Sequence, residues 1–363
     1  MSTSVLDPTR AARLRRAVAG LFALALLPVA ASGATAQERQ VVVANTGGVF
    51  ERALRETWFD PFTAATGIKV VSAAATDAEQ RARATAMVQA GRVEWDLFIN
   101  VDVLAASPGN RAITRDLASF CAGFAGRDDL QPGTCKPEGV RISLNATALA
   151  FNREVFPDAQ PKTWADFWNV AAFPGRRTLP NFSDPWRVLA AALMADGVAP
   201  KALFPLDVDR AFRKLDEIRP QIDLWWRTGD QSQQGFRNRD YVLGMIWGTR
   251  ANALLAEGQP VKVSYDQAFL LGDRMQLLKD SPNETEALAL LTFYLDHPEV
   301  QAQFAERLGV TPPSNAAIAL MSQEARAKIP SPDVIATTVT PDAEWLNDNQ
   351  GMLARRWNTW MQQ

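Results

Sequence analysis

The chain is short of the side chains on which most enzyme chemistry rests. In 363 residues there is one histidine, His297, two cysteines, Cys121 and Cys135, and three tyrosines. His297 precedes Pro298 at a helix start, a structural position, so histidine-based acid/base catalysis has no good candidate. A His/Cys zinc site or a Cys–His nucleophile would need partners that the chain lacks. Neither a G-x-S-x-G sequence nor a Walker A sequence occurs. The acidic residues are scattered, with no recognisable glycosidase pair. These absences argue against an enzyme.

An excess of one charge is also missing. Lys and Arg number 38 against 40 Asp and Glu, a net charge of −2, which argues against a nucleic-acid binder that relies on a global basic field. Beyond the N-terminus no stretch approaches about 18 uncharged apolar residues, the length of a membrane span. At 47% hydrophobic and 21% charged, the composition excludes a disordered chain, a coiled coil, a collagen-like fibre and a small disulfide scaffold. The length exceeds what one hydrophobic core usually organises and predicts two lobes.

The N-terminus reads as a removable export signal. Arg10, Arg13, Arg15 and Arg16 form a positive start, Ala17 to Leu27 is an uncharged apolar stretch, and Ala34-Thr35-Ala36 has the A-x-A form of a cleavage site before Gln37. Residues 1–36 are thus expected to be removed after Ala36, placing the mature chain in the periplasm with a net charge of −5. In that oxidising compartment Cys121 and Cys135, with thirteen residues between them, suggest one disulfide closing a Gly/Pro-containing loop. Two free thiols or a metal site are the alternatives.

Along the mature chain, Gln40–Ala44, Ile68–Ser72 and Trp95–Asn100 read as strands. Between them lie a helix with Phe50, Leu54, Trp58 and Phe62 on one face and another that Thr76 and Glu79 open with a capping box. Strand, helix, strand, helix, strand is the pattern of a parallel α/β sheet, in which ligands bind beyond the carboxyl ends of the strands. Gly47, Gly48 and Asn100 fall at those ends. Arg141–Asn152 is extended enough to cross between lobes, and a second α/β set follows it. That set comprises helices near Thr163–Trp168, Trp186–Met194 and Val208–Ile218, strands near Arg177–Leu179 and Tyr241–Trp247, and a helix over Ala251–Glu257. Val261–Tyr265 is a strand that crosses back; the remainder is mainly helical. Thr311-Pro312-Pro313-Ser314-Asn315 interrupts it as a third connection. Gln233 and Gln234 fall in a polar loop.

Several stretches resemble the periplasmic solute-binding proteins of ABC importers, in the spermidine/putrescine-type branch. They are Thr163-Trp164-Ala165-Asp166-Phe167-Trp168 with Phe173-Pro174-Gly175-Arg176-Arg177, Gly244-Met245-Ile246-Trp247-Gly248-Thr249-Arg250, Gly258-Gln259-Pro260-Val261 and Leu271-Gly272-Asp273. His297-Pro298-Glu299-Val300-Gln301, leading to Pro312-Pro313-Ser314-Asn315, completes the set. The resemblance covers essentially the whole chain through the order and spacing of these stretches. It implies an α/β, two-lobed type II periplasmic-binding-protein fold with extended hinge crossovers. Lobe 1 takes 37–148 and 268–310, and lobe 2 takes 149–267 and 311–363. It implies one small ligand in the cleft, no cofactor, a monomer, and an ABC permease and ATPase complex as partner. A sensor presenting ligand to a membrane receptor, or a secreted enzyme on the same scaffold, are readings of another class.

Carried over residue by residue, the resemblance nominates Trp247, Arg250 and Asp273 as ligand contacts. Arg250 offers a planar fork for a carboxylate, Asp273 accepts from an ammonium, and Trp247 supplies an apolar or cation–π face. Members with this Arg/Asp pair resemble binders of γ-aminobutyrate-like amino acids. Each residue also has an ordinary reading: Trp247 as core, Arg250 in an ion pair, Asp273 as the cap of a turn after Gly272. In Ser183-Asp184-Pro185-Trp186-Arg187, where polyamine binders tend to be acidic, Asp184 stays acidic but Arg187 does not suit a polyamine. The ferric-ion binders of the family use adjacent tyrosines, and Tyr241, Tyr265 and Tyr294 are isolated. A carboxylate-bearing zwitterion, an amino acid or opine, is therefore favoured over putrescine or spermidine.

Overall fold

The structure is a computed structural model that describes residues 38–335 and 338–363. The expected export segment and its Ala36 junction lie outside the described residues. Among the described residues no helix is long and apolar enough to cross a membrane.

β1 (Gln40–Asn45) leads into α1 (Gly48–Leu54), a π-helical turn (Arg55–Phe59) and α2 (Asp60–Thr66). The apolar residues 50, 54, 58 and 62 recur every four positions, a spacing that drifts by about 40° a step around an ideal helix. The wider π turn takes up that drift, and Leu54, Trp58, Phe59 and Phe62 are all fully buried. β2 (Lys69–Ala74), α3 (Asp77–Gln89) with the expected Thr76/Glu79 capping box, and β3 (Leu97–Val101) follow. After α4 (Asp102–Ala105), α5 (Pro108–Ile113) and α6 (Ala118–Ala122) comes β4 (Cys135–Lys136). Cys121 and Cys135 form a disulfide that joins α6 to β4. β5 (Gly139–Asn152) is long and extended, as its sequence predicts.

The second half brings α7 (Trp164–Trp168), β6 (Arg177–Pro180), α8 (Trp186–Ala195), α9 (Val208–Ile218), β7 (Ile222–Trp226) and α10 (Gly229–Asn238). It continues with β8 (Leu243–Trp247), α11 (Gly248–Ala256) and β9 (Val261–Leu277). Two expectations are corrected here. Gln233 and Gln234 lie not in a loop but in α10, which Thr228 and Gln231 open with a capping box. Gly272 does not begin a turn, because β9 runs straight through it for 17 residues. The chain ends with α12 (Glu284–Asp296), α13 (Pro298–Leu308), α14 (Asn315–Leu320), α15 (Gln323–Arg326), α16 (Pro332–Ile335) and α17 (Ala343–Met361).

The strand order is β2-β1-β3-β9-β5-β8-β6-β7, with β4 on β5. β2, β1 and β3 are mutually parallel, as are β8, β6 and β7, and the antiparallel pair β9/β5 joins the two groups. Both joining strands pass from one core to another. Val140 and Ile142 of β5, with Met275 and Leu277 of β9, sit in a core with Val41, Leu54, Trp58, Phe62 and Tyr294. Leu149 and Phe151 of β5, with Phe269 of β9, sit in a core with Trp164, Trp186, Leu189, Leu215, Trp357 and Trp360. This is a two-lobed α/β fold with strands for hinges. Thr311, expected in a third connection, exchanges backbone hydrogen bonds with Leu144 at 2.8 and 3.0 Å, while α13 before it and α14 after it pack into one cluster through Ala302, Ala305, Ala317 and Ile318.

The signature stretches are explained mostly by packing. Thr163 and Asp166 cap α7 reciprocally. The fully buried Arg177 has no carboxylate partner; its guanidinium donates to the carbonyls of Phe167, Phe173 and Gly175 and so ties down the loop that precedes β6.

Candidate ligand-binding cleft

Side chains alternate sides along a strand, and residues paired across strands share a side. Ser143 pairs with Asp273, Asn145 with Leu271, and Thr147 with Trp247. These six residues therefore form one continuous band along the hinge strands, from the end of β3, where Val101 pairs with Asp273, to the end of β8. The Asp273 carboxylate anchors one end of the band. Its Oδ2 accepts from Ser143 Oγ at 2.6 Å and from Asn145 Nδ2 at 2.8 Å.

Trp247 anchors the other end. Its ring stacks on Phe182, with centroids 5.7 Å apart, and meets the edge of the fully buried Trp226 at 5.3 Å. Trp226 is fixed in turn by a bond from Nε1 to the Met245 carbonyl. Trp247, Phe182, Thr147, Asp184 and Arg187 line a shallow crevice together. Arg250, in the first turn of α11, reaches instead to the start of α10. Its Nη1 lies 3.0 Å from Asp230 Oδ1 and 3.3 Å from Gln233 Oε1, with 41% of the side chain exposed.

The other nominated positions divide. Gly47 and Gly48, at the end of β1, both have left-handed backbones, with φ of 72° and 61°. A Cβ on Gly47 would also stand 3.3 Å from that of Ala74. Asn100 is buried, with its Nδ2 3.5 Å from Gln276 and its Oδ1 accepting from its neighbour's backbone N–H, so it is held within the first lobe. Asp184 lies in the loop before α8, 48% exposed, with Oδ2 3.5 Å from Arg187 Nη1. The structure thus brings Trp247 and Asp184 together in one crevice and puts Asp273 at the far end of the band, while Arg250 turns to α10 and Asn100 lies within the first lobe.

Arg187, read from the sequence only as unsuited to a polyamine, stands out at this site. Arg187 is 8% exposed, and among the described residues its Nε is buried without a partner and the Asp184 contact is its one ion pair. Its guanidinium also lies over the Trp186 ring at 4.7 Å. Burial pulls its pKa down and Asp184 partly offsets this. Arg187 and Asp184 also line a cavity of about 190 Å³ whose walls come from both lobes: Val101, Val103 and Leu104 on one side, Trp186, Leu346 and Leu353 on the other. Leu271 of the hinge lines it as well, as do Asn347 and Gln350 of α17. The sequence places Arg187 on α8, but burial without a partner has no sequence signal.

A larger cavity, about 540 Å³, is lined by Leu144 and Leu270, which alternate with the band residues and so face the other way. Part of its wall is an ion-pair network. Asp102 accepts from Arg141 Nη2 at 2.7 Å, from Arg274 Nε at 2.8 Å and from the Gly272 N–H at 3.2 Å. A Cβ at position 272 would fall 2.5 Å from the Asp102 carboxylate, which is why glycine stands between Leu271 and Asp273.

No group of three or more His, Cys, Asp or Glu side chains suited to a metal comes together among the described residues. His297 is stacked on Phe293, and its Nδ1 is 2.7 Å from the Phe293 carbonyl. The three tyrosines point their hydroxyls at the backbone carbonyls of Ser232, Lys328 and Ile142.

Residues 57–330 match the family of bacterial extracellular solute-binding proteins. The chain belongs to that family. Over 347 residues, 94% of the chain, this solute-binding protein is 29% identical to the γ-aminobutyric acid-binding protein of Pseudomonas aeruginosa, of which 95% is covered. It is 28% identical to the spermidine/putrescine-binding periplasmic protein of Escherichia coli over 206 residues, 56% of this chain and 57% of that one. Among solved structures it resembles the periplasmic binding protein AttC of Agrobacterium tumefaciens C58, in an open unliganded conformation. The identity is 54% and the TM-score 0.85, with 89% of this chain and all of AttC covered. Such extracellular and periplasmic proteins bind small molecules.

Proposed function

We propose that this solute-binding protein captures a small zwitterion, a γ-aminobutyrate-like amino acid or opine, in the periplasm and delivers it to the permease and ATPase of an ABC importer. The observation that carries this reading is a carboxylate at one end of the hinge band and an arginine just past its other end. A hydrogen-bonded carboxylate, Asp273, stands where lobe 1 meets the hinge. An aromatic wall at Trp247 with an arginine three residues on, Arg250, opens lobe 2. A cation and an anion at opposite ends suit a solute with an ammonium at one end and a carboxylate at the other. A ligand that touches both lobes stabilises the shut form, and only such differential affinity shifts the balance between open and shut.

The similarity supports the same choice: it runs almost the full length of the γ-aminobutyric acid-binding relative but little more than half of the polyamine-binding one. An alkyl diamine gains nothing from Arg187 or Arg250. The wider site includes Gly47 and Gly48, whose backbones shape the β1–α1 junction, with Asn100 and Asp184. The reading includes cleavage after Ala36, a monomer, no cofactor, no turnover of the solute, and lobes of 37–148 with 268–310 and 149–267 with 311–363.

Titration calorimetry with γ-aminobutyrate, an opine, putrescine and spermidine tests it. The expected result is binding of a carboxylate-bearing solute, weakened at least ~30-fold in Arg250→Ala, since loss of one partner of a desolvated charge pair costs about 2 kcal/mol or more. Tighter binding of a polyamine than of any zwitterion overturns the reading.

A further inference from the structure

Three arginines of the described residues have nearly all of their surface buried, and their surroundings differ in a telling way. Arg177 is satisfied by three carbonyls. Arg274 is satisfied by Asp102 and by the carbonyls of Gly133, Thr134 and Gly139. Arg187 has a ring beneath it and one contact of 3.5 Å, with its Nε bonded to nothing. A guanidinium carries five N–H donors, and a buried charge left so poorly paired works against folding. A fold that retains such a group in a cavity between two lobes holds it ready for something absent from the free protein.

We infer that Arg187 is a second arginine of the ligand site and takes the solute's carboxylate in the cavity bounded by Val103, Leu271, Leu346 and Asn347. The inference rests on the zwitterion reading above and makes it more specific. The cavity, about 190 Å³ in volume, has room for a short amino acid. Its apolar walls, Val101, Val103, Leu271 and Leu353, match a methylene chain. Gln350 adds an amide to the lining, while the Asn347 amide donates to the carbonyls of Val103 and Ala343. Arg250, already engaged by Asp230 and Gln233, then acts at the rim. Recognition of the carboxylate and of the methylene chain thus falls to one pocket.

The test compares wild type, Arg187→Gln, Arg187→Lys and Arg250→Gln in calorimetry with γ-aminobutyrate and with 4-aminobutanamide, which lacks the charge. Melting of each unliganded variant is measured beside it. Arg187→Gln is expected to lose at least ~30-fold in affinity for γ-aminobutyrate, with Arg187→Lys recovering part of the loss. Wild type and Arg187→Gln are expected to bind the amide equally weakly. The unliganded Arg187→Gln protein is expected to melt no lower than wild type, whereas a structural arginine would lower it. If wild type prefers γ-aminobutyrate to the amide while Arg187→Gln binds both as wild type does, the carboxylate sits elsewhere. The Arg187 inference then falls and the zwitterion reading stands. If wild type prefers putrescine, both fall. A lowered melting point in both position-187 variants with unchanged affinity also overturns the inference.

Discussion

Asp102 offers the sharpest test of how the hinge is held. One carboxylate at the start of α4 receives Arg141 through Nε at 3.0 Å and Nη2 at 2.7 Å, Arg274 through Nε at 2.8 Å, and the Gly272 N–H at 3.2 Å. It therefore ties the end of β3 to both crossing strands. Asp102→Asn keeps the shape, but one oxygen becomes an NH₂ that faces a guanidinium N–H, and the negative charge is gone. Arg274, buried to 2% exposure, keeps its charge and loses its counterion. Breaking a buried pair in this way costs about 3–5 kcal/mol. Burial works against the Asp102 carboxylate, yet Arg141 and Arg274 outweigh it and hold its pKa below the ordinary 3.8. For a lowered carboxylate pKa, the stabilisation is fully present above the ordinary value and is lost as pH falls through the folded one. Urea unfolding of both proteins should thus show a gap of ~3–5 kcal/mol at neutral pH. The gap should narrow as pH falls below 3.8. A gap under about 1 kcal/mol at neutral pH, the scale of an exposed pair, would refute the reasoning, as would one that acid leaves unchanged.

Two further outcomes are expected. Replacing Cys121 and Cys135 together by serine opens a loop of sequence separation 14 and should lower stability by ~3 kcal/mol while leaving solute affinity intact; an unchanged urea midpoint would count against it. Arg177→Met leaves two buried carbonyls, those of Phe167 and Phe173, without this donor, and a part-buried one at Gly175. At about 1–3 kcal/mol for each buried carbonyl, the loss should be at least ~2 kcal/mol in urea unfolding, and a variant as stable as wild type would show that water replaces the guanidinium.

Much of the fold was readable because its signals are local. The Thr76/Glu79 and Thr163/Asp166 boxes start their helices as expected, and β1, β5, α8 and α9 lie within a residue or two of the expected bounds. The misses have local causes too. Gly229 and Gly235 weaken the helical signal of α10, although Thr228 and Gln231 carry its cap. Gly272 reads as a turn because what excludes a side chain there, the Asp102–Arg141 pair, comes from residues 131 to 170 positions away in sequence. Asp273, expected as a ligand contact, proves to be one member of a band that also carries Ser143 and Asn145 of β5. Arg187 was visible as a charge of the wrong sign for a polyamine. Its missing partners are a property of tertiary burial, which no spacing encodes.

The paired strands β5 and β9 lose their regular register at two places, between Arg141 and Ser143 and between Thr147 and Leu149. Irregularities of this kind bend a strand and sharpen its twist. The stretch between the two breaks carries Ser143 and Asn145, the residues that grip Asp273. The bends of the hinge and the groups that hold Asp273 are therefore set by the same few amino acids. Under the proposed function, a substitution among them retunes the stiffness of the pivot and the grip on the solute at the same stroke.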